Sequence, residues 1–525
     1  MMNLVDIQNN INTFASNIFS FFKMNKTKLI CTALAIVIFS TTAQAGGLLT
    51  NTNQNINFLR NPARDAAIAI DGVYSNPAGV VFLGEGMHLS IGLQNAHQTR
   101  TIKTGFPLFP NNVNMSGSVH EFEGKADAPV IPSLQAAYNK GNWSFQFGFA
   151  LTGGGGKCEF PYGLGSFEQV VAGVTTYAPA VNELYQTLGQ LGIPGMAGHG
   201  MGSKYSYDSF MRGRQYYYGF TFGTAYRIND HLSVYGGLKM LYGSANYYGY
   251  VKNISIEHLD NGQSSMVGAA AHFSELGDQL NRYAGAMEQA GNMQAAQALE
   301  AAAAKANMLS QSTQDIELNC DQTGWGVAPI IGIDYKTGRL NLAAKYEFKT
   351  RMRLKNKSAN SLSAEGIPML SKFKDGNEVA EDTPGLLTVG AQYSLLPSLR
   401  ISAGWHHYFD VDTKQYTKDM LSDTNEYLVG AEYDINKCWQ VSAGAQKTQY
   451  GFKDAGMNDI SFNVNSYSIG FGVGVQVSEK VKINAAYFQT IYSDYDKKEA
   501  VGQATVTNSF TRTNRVFGLG VDLTL

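Results

Sequence analysis

Phe517, Leu519, Val521, Leu523 and Leu525 alternate with Gly518, Gly520, Asp522 and Thr524, which puts every apolar side chain on one face of an extended strand. One face suits lipid and the other suits water. The alternation returns at Met87, Leu89, Ile91 and Leu93, at Trp143, Phe145, Phe147, Phe149 and Leu151, and at Tyr216, Tyr218, Phe220 and Phe222. Further copies run through Leu340, Leu342, Ala344, Tyr346 and Phe348, through Leu387, Val389, Ala391, Tyr393 and Leu395, and through Tyr467, Ile469, Phe471, Val473, Val475 and Val477. Roughly 14 such strands can be counted, an even number.

The connections decide what these strands build. Tight turns fall at Asn139-Lys140-Gly141, Asn229-Asp230, Lys336-Thr337-Gly338, Pro397-Ser398, Asn436-Lys437 and Ser478-Glu479-Lys480. Long connections fall near 100–128, 153–212, 252–322, 353–383, 411–425, 450–461 and 494–508. A sandwich or propeller scatters its long loops over both ends, whereas a membrane barrel keeps them at one rim. The expected fold is therefore all-β: a transmembrane antiparallel β-barrel of about 14 strands over residues 85–525, its tight turns facing the periplasm and its long loops the exterior. The apolar strand at 517–525 reads as the closing strand.

Composition agrees with a barrel. Only 16% of the 525 residues are charged, whereas 56 Gly, 29 Tyr and 28 Phe supply small lumen residues and interfacial aromatics. The formal net charge of −2 gives no reason to expect nucleic acid as a partner. Residues 1–45 read as an upstream extension plus a signal peptide: Met24 to Lys28 is basic, Leu29 to Phe39 apolar, and Ala43-Gln44-Ala45 a cleavage site before Gly46. This places the mature chain in the outer membrane of a Gram-negative bacterium, and makes Met24 a candidate for the true start. Of the four cysteines Cys31 leaves with the signal, and Cys158, Cys320 and Cys438 show no metal-ligand spacing. No metal or cofactor is expected. A Cys158–Cys320 disulfide between outward loops stays open, with Cys438 a lone thiol at a turn.

Residues 46–84 carry no strand periodicity. The run from Arg60 to Gly79, with Pro62, Pro77 and many small side chains, predicts compact turns and a short helix beside or inside a barrel. Two long loops predict helices, near 180–192 from Val181, Leu184, Leu188 and Leu191, and near 270–308 from Phe273, Leu276, Leu280, Tyr283 and Met287. These stripes either pack on their surroundings or form an apolar landing surface for a ligand.

The non-strand segment ending in Asn76-Pro77-Ala78, preceded by Ala66, Ala69 and Asp71 and followed by the first barrel strand, resembles the plug of the FadL family of outer-membrane transporters of hydrophobic compounds. A second triplet, Asn61-Pro62-Ala63, precedes it. The resemblance implies uptake of hydrophobic molecules, foremost long-chain fatty acids, captured at the external apolar stripes and released sideways into outer-membrane lipid. It implies a plug in the lumen with Asp71, Asn76, Pro77 and Ala78 at the gate, and a lateral opening beside Ser144, Gln146 and Gly148. A monomer inserted by the barrel-assembly machinery is expected.

Two other functions fit parts of the sequence. A general or substrate-specific porin for small polar solutes would account for the lumen-facing set Lys239, Lys345, Glu347, Lys349, Arg400, His406, Glu432, Lys482 and Asp522. An outer-membrane lipid hydrolase could place His406 and Asp410 on one face, but no Gly-x-Ser-x-Gly elbow accompanies them, and the chain is read as a non-enzyme.

Overall fold

The computed structural model describes residues 50–190, 193, 196–359, 370–414, 417–502 and 504–525. The expected upstream extension and signal peptide at 1–45, and Leu191, lie outside the described residues. Among the described residues eighteen strands form one sheet, and fourteen of them close into a barrel. In chain order these are β1 (Gly86–Gly105), β2 (Val119–Lys140), β3 (Trp143–Phe160), β4 (His199–Arg227), β5 (Leu232–Asp260), β7 (Ile316–Thr337) and β8 (Leu340–Glu347), followed by β11 (Gly385–Leu396), β12 (Leu399–Phe409), β13 (Thr424–Asp434), β14 (Trp439–Gln449), β15 (Ser466–Ser478), β16 (Val481–Tyr492) and β18 (Ala504–Thr524). Closure comes from β18 pairing with β1, from His88 opposite Thr524 to Gly105 opposite Thr507. The remaining strands, β6 (Gln263–Gly268), β9 (Arg353–Ser358), β10 (Glu378–Ala380) and β17 (Tyr495–Val501), extend the rim that carries the long connections.

The two faces of each strand separate as the alternation requires. Leu93, Phe145, Phe222, Leu238, Val327, Val429, Ile469, Phe471, Phe517 and Leu519 are exposed on the outside. Ser90, Gln135, Gln146, Lys239, Lys345, Glu432 and Asn484 are buried on the inside. Beside the tight turns Tyr138, Trp143, Tyr226, Tyr335, Tyr433 and Trp439 stand exposed as an aromatic girdle. An apolar band with such a girdle makes this an outer-membrane barrel. Among the described residues no helix is long and apolar enough to cross a membrane.

The wall is uneven. β4 and β5 run for 29 residues each, against 8 for β8, where about ten suffice to cross a bilayer. The connection placed near 100–128 is thus largely strand, and those near 153–212 and 252–322 begin and end in strand, because β1 to β5 and β7 stay paired well past the apolar belt. Beyond lipid the backbone ladder persists while the apolar alternation fades, so hydrophobic periodicity alone undercounts strand length there.

Four further helices lie over this tall side: α2 (Gly165–Val174), α3 (Ala178–Gln190), α4 (Ala269–Gln289) and α5 (Met293–Ser312). Cys158 and Cys320 are buried and free, and Cys438 is exposed and free. A bridge is excluded by topology: Cys158 on β3 and Cys320 on β7 have β4 and β5 between them, about 14 Å of sheet at the usual strand spacing.

Candidate functional site

Residues 50–84 fill the lumen. The short helix α1 (Ile56–Arg60) is started by Asn55, whose side chain accepts from Asn57 N at 2.7 Å and whose amide donates to Gln135 on β2 at 2.6 Å. Ile56, Phe58, Leu59 and Ala63 pack with Leu428, Phe488 and Val516 of the wall. Glycine on the inner strand faces makes this approach possible. A Cβ at Gly430 would overlap the Asn61 side chain, and one at Gly470 the Leu59 carbonyl oxygen. The abundance of glycine is therefore explained by the segment that the wall encloses.

Charge holds the segment in place. Arg64 grips Asp71 with two bonds, Nε to Oδ2 at 2.7 Å and Nη2 to Oδ1 at 2.9 Å, and reaches Glu432 on β13 at 2.9 Å. Asp71 also accepts from Asn57 at 3.1 Å, so it braces the plug internally. His406 sits between Asp65 of the plug and Glu426 of β13, each at 2.9 Å. His406 and Asp410, which a hydrolase would pair, have separate partners: Asp410 accepts from the backbone N–H of Thr424 at 3.1 Å. Lys239 and Lys345 share Glu347 at 2.6 and 2.8 Å, and Lys345 also donates to the Tyr74 carbonyl at 2.7 Å.

The Asn76-Pro77-Ala78 triplet pins the plug to three strands. Asn76 donates to Asp334 on β7 at 2.6 Å, the Pro77 carbonyl accepts from Gln146 on β3 at 2.7 Å, and the Ala78 carbonyl accepts from Ser233 at the start of β5 at 2.6 Å. The Asn61-Pro62-Ala63 triplet lies against Gly430 and Gly444 on β13 and β14. Asp71, Asn76, Pro77 and Ala78 are thus all inside the lumen, the last three in direct contact with the wall.

The wall beside this contact has a break. β2 and β3 pair continuously from Lys140 opposite Trp143 to Ser133 opposite Ala150, then not again until Ala126 opposite Cys158. Across β3 the ladder with β4 shifts register at Leu151/Gly153 and again at Gly153/Gly156. Two local causes coincide. Pro129 and Pro132 on β2 have no N–H to give, while Gly154 and Gly156 adopt φ of +78° and +86°, where a side chain would be strained. Asn51 at the start of the plug takes over two β3 acceptors, its N–H bonding the Thr152 carbonyl at 2.8 Å and its side-chain amide the Gly154 carbonyl at 3.1 Å.

The break lies just beyond the residues expected beside an opening. Ser144, Gln146 and Gly148 lie on fully paired wall, opposite Asn139, Ala137 and Gln135. The break is the next stretch toward the long-loop rim, residues 127–132 facing 151–157. The glycine run at 153–156 is a sequence signal for a bent ladder; Asn51, Pro129 and Pro132 carry no such mark alone, and prolines opposite a glycine run were the available signal.

Of the two readings of the apolar stripes, packing is the one observed. Val181 and Leu188 of α3 and Phe273, Leu276 and Leu280 of α4 are buried in one cluster, with Leu184 partly buried against it. They form the core of a cap, not an open surface, because the two stripes and the long hairpin β4–β5 cover one another. At its edge His199 Nδ1 lies 3.1 Å from His258 Nε2, and the His272 ring on α4 is centred 4.9 Å from that of His258. Burial, then the neighbouring His258 and His199, push His272 from its ordinary 6.5 down to about 4. A depressed base stabilises the fold fully above its unfolded value, and that stability is lost as pH falls from 6.5 toward 4. Protection of α3 and α4 against hydrogen exchange, corrected for the pH dependence of the intrinsic rate, should fall over this window while the barrel strands stay protected; equal protection of the two helices at about pH 7 and about pH 4 would refute the coupling.

No family model matches the sequence, and no curated protein does. Among solved structures, a Pseudomonas aeruginosa FadL homologue is similar with a TM-score of 0.56 at 12% identity, covering 91% of this chain and 100% of its own. The P. putida toluene transporter TodX is similar with a TM-score of 0.50 at 14% identity, covering 87% of this chain and 94% of its own. At such identities the likeness is one of fold, and the fourteen-strand wall described above accounts for it: this chain has the fold of the FadL-type outer-membrane barrels.

Proposed function

We propose that this barrel takes hydrophobic small molecules, foremost long-chain fatty acids, from the exterior and releases them through the wall between β2 and β3 under control of the plug. The observation that carries the proposal is the break in pairing between residues 127–132 and 151–157, bridged from inside by Asn51. A cargo that leaves water can be held by apolar burial alone, about 0.8 kcal/mol per methylene. A sideways exit delivers it to lipid without crossing the polar, charge-paired lumen. The long-loop rim with its α3–α4 cap is placed outside the cell, and capture there needs the two stripes to part. The solved toluene transporter of similar fold supports a lipophilic cargo. A porin is the weaker reading, since the plug is bonded to strands around the whole lumen.

Filling the break tests the route. The Ala128 Cβ lies 3.8 Å from where a Cβ on Gly156 would stand, so Ala128→Trp puts a large ring across the gap. Oleate uptake by cells that depend on this protein should fall at least about tenfold, roughly 1.4 kcal/mol, with the barrel folded and oleate binding retained. Normal uptake with the ring in place would exclude this exit.

A further inference from the structure

On the tall side of the barrel the outer face of the wall changes character above the apolar belt. Phe222, Leu238 and Val327 are exposed on β4, β5 and β7. Above them stand Tyr218, Tyr242 and Trp325, successive partners in the ladder, with ring centres 6.2 and 4.5 Å apart. Such a row marks the edge of the hydrocarbon. Two residues further along the strands lie Tyr216, Ser244, Thr323 and Lys355, and two beyond those lie Arg214, Asn246, Asp321 and Lys357, each opposite the next. At about 3.4 Å per residue and a tilt of about 40°, the two rows stand roughly 5 and 10 Å above the aromatics. Lipid headgroups occupy a layer about 5–8 Å thick, so Lys355 stands within it and the side chains of Arg214 and Lys357 reach down to it.

The positive charge here lies on the lipid-facing wall, not on loop tips. Arg214, Lys355 and Lys357 are exposed, and among the described residues none of them has an ion-pair partner. Lys357 has Asp321 directly opposite, yet that carboxylate accepts from Asn246 Nδ2 at 2.9 Å. Between Tyr216 and Lys355 the row holds only Ser244 and Thr323, whose short side chains leave a shallow recess floored by two hydroxyls. The outer face of β2 carries Glu121, Glu123 and Asp127 instead. An anion is therefore drawn to the sector from β4 to β9.

We propose that this recess binds a phosphorylated glycolipid of the outer leaflet. Arg214, Lys355 and Lys357 surround its phosphate, the Ser244 and Thr323 hydroxyls donate to it, and its acyl chains lie on Phe222, Leu238 and Val327. Guanidinium and ammonium groups bond phosphate with charge assistance, and each cation facing an anionic lipid strengthens binding about fivefold. Continuity with the apolar belt selects a lipid over free phosphate, because only a lipid also covers the exposed side chains below. The bound lipid would tether the tall side, where the strands run on past the membrane. The site is on the outside of the wall, apart from the plug and the break, so it does not depend on the cargo; it rests on the long-loop rim facing the exterior.

The test compares lipid A carrying two phosphates with the same lipid after their removal, binding to the purified full-length protein in neutral detergent. The phosphorylated form is expected to bind at least about tenfold tighter. Arg214→Gln with Lys355→Gln should weaken that form roughly 25-fold, about fivefold for each cation, and leave the dephosphorylated lipid and oleate unchanged. Asp321→Asn should tighten it several-fold by removing the acid beside the recess. Lys447→Gln, on the outer face of β14, should leave it unchanged. Wild-type affinities for the two lipids within about twofold of one another overturn the site without recourse to any variant. An equal loss in Lys447→Gln overturns it as well, since attraction would then be spread over the whole barrel. Displacement of the lipid by inorganic phosphate at about 1 mM would overturn the choice of a lipid as the occupant.

Discussion

Replacing Arg64 by alanine is expected to free the plug and turn a silent barrel into a conducting one. Arg64 is 3% exposed and supplies two bonds to Asp71 and one to Glu432. Glu432 keeps Arg60 and Arg400 within 3.7 Å after the change, so the loss falls on Asp71, a buried carboxylate left with Asn57. Removing one partner of a buried pair costs about 3–5 kcal/mol. The wall does not share that cost, because its ladder closes through β1 and β18 without help from the plug. Steady single-channel current should therefore appear in Arg64→Ala while the protein still migrates as a folded barrel. Asp71→Asn added to it should recover part of the loss, since the orphaned charge is then gone. A variant as silent as the parent would show that the plug is held by its apolar packing and the Asn76 contacts instead.

The second large effect is expected in the cap. Phe273 is fully buried between α4 and the stripe of α3, and a Phe→Ala change at such a site costs about 3–5 kcal/mol from lost burial and the cavity it leaves. The cap joins the barrel through the ends of β4, β5 and β7, so the damage should stay local. Phe273→Ala should raise hydrogen exchange and protease cleavage within 178–190 and 269–289 and expose apolar surface that binds a hydrophobic dye. The plug and the wall should keep their protection. Unchanged exchange in both helices would mean that α5 and the β4–β5 hairpin alone hold the cap together. Under the proposed function the same opening is the capture step, so this variant should also bind oleate faster.

The wall was legible in the chain and the interior was not. An alternation of two residues is a local property, so Phe517, Leu519, Ile469 and Phe471 could be assigned to lipid, and Gly518, Gly520 and Gly470 to the lumen, without knowing any neighbour. The tight turns at six places then fixed the order of the strands and, with it, the barrel. The plug was recognisable as a segment because its prolines and small residues break that alternation. Its bonds were not, because Arg64 finds Glu432 368 residues away, His406 finds Asp65 341 away, and Asn76 finds Asp334 258 away. No local spacing encodes a partner at such a distance.

The same reason separates the features that local pattern left open from those it fixed. A stripe at helical spacing shows that a helix has an apolar face, but what covers that face depends on which elements arrive opposite, and here α3 and α4 cover each other. A glycine run shows that a strand is weak, but whether the sheet opens there depends on the neighbouring strand, and Pro129 and Pro132 of β2 placed the break beyond Gly148. Arg100 and Arg512 lie at opposite ends of the barrel sequence and became neighbours only when the last strand met the first. The chain by itself determined two faces and fourteen crossings, since period and turn length act within a few residues. Which charges meet inside, where the wall parts and what the cap conceals were decided by closure, since only a closed ring brings residues hundreds of positions apart into contact.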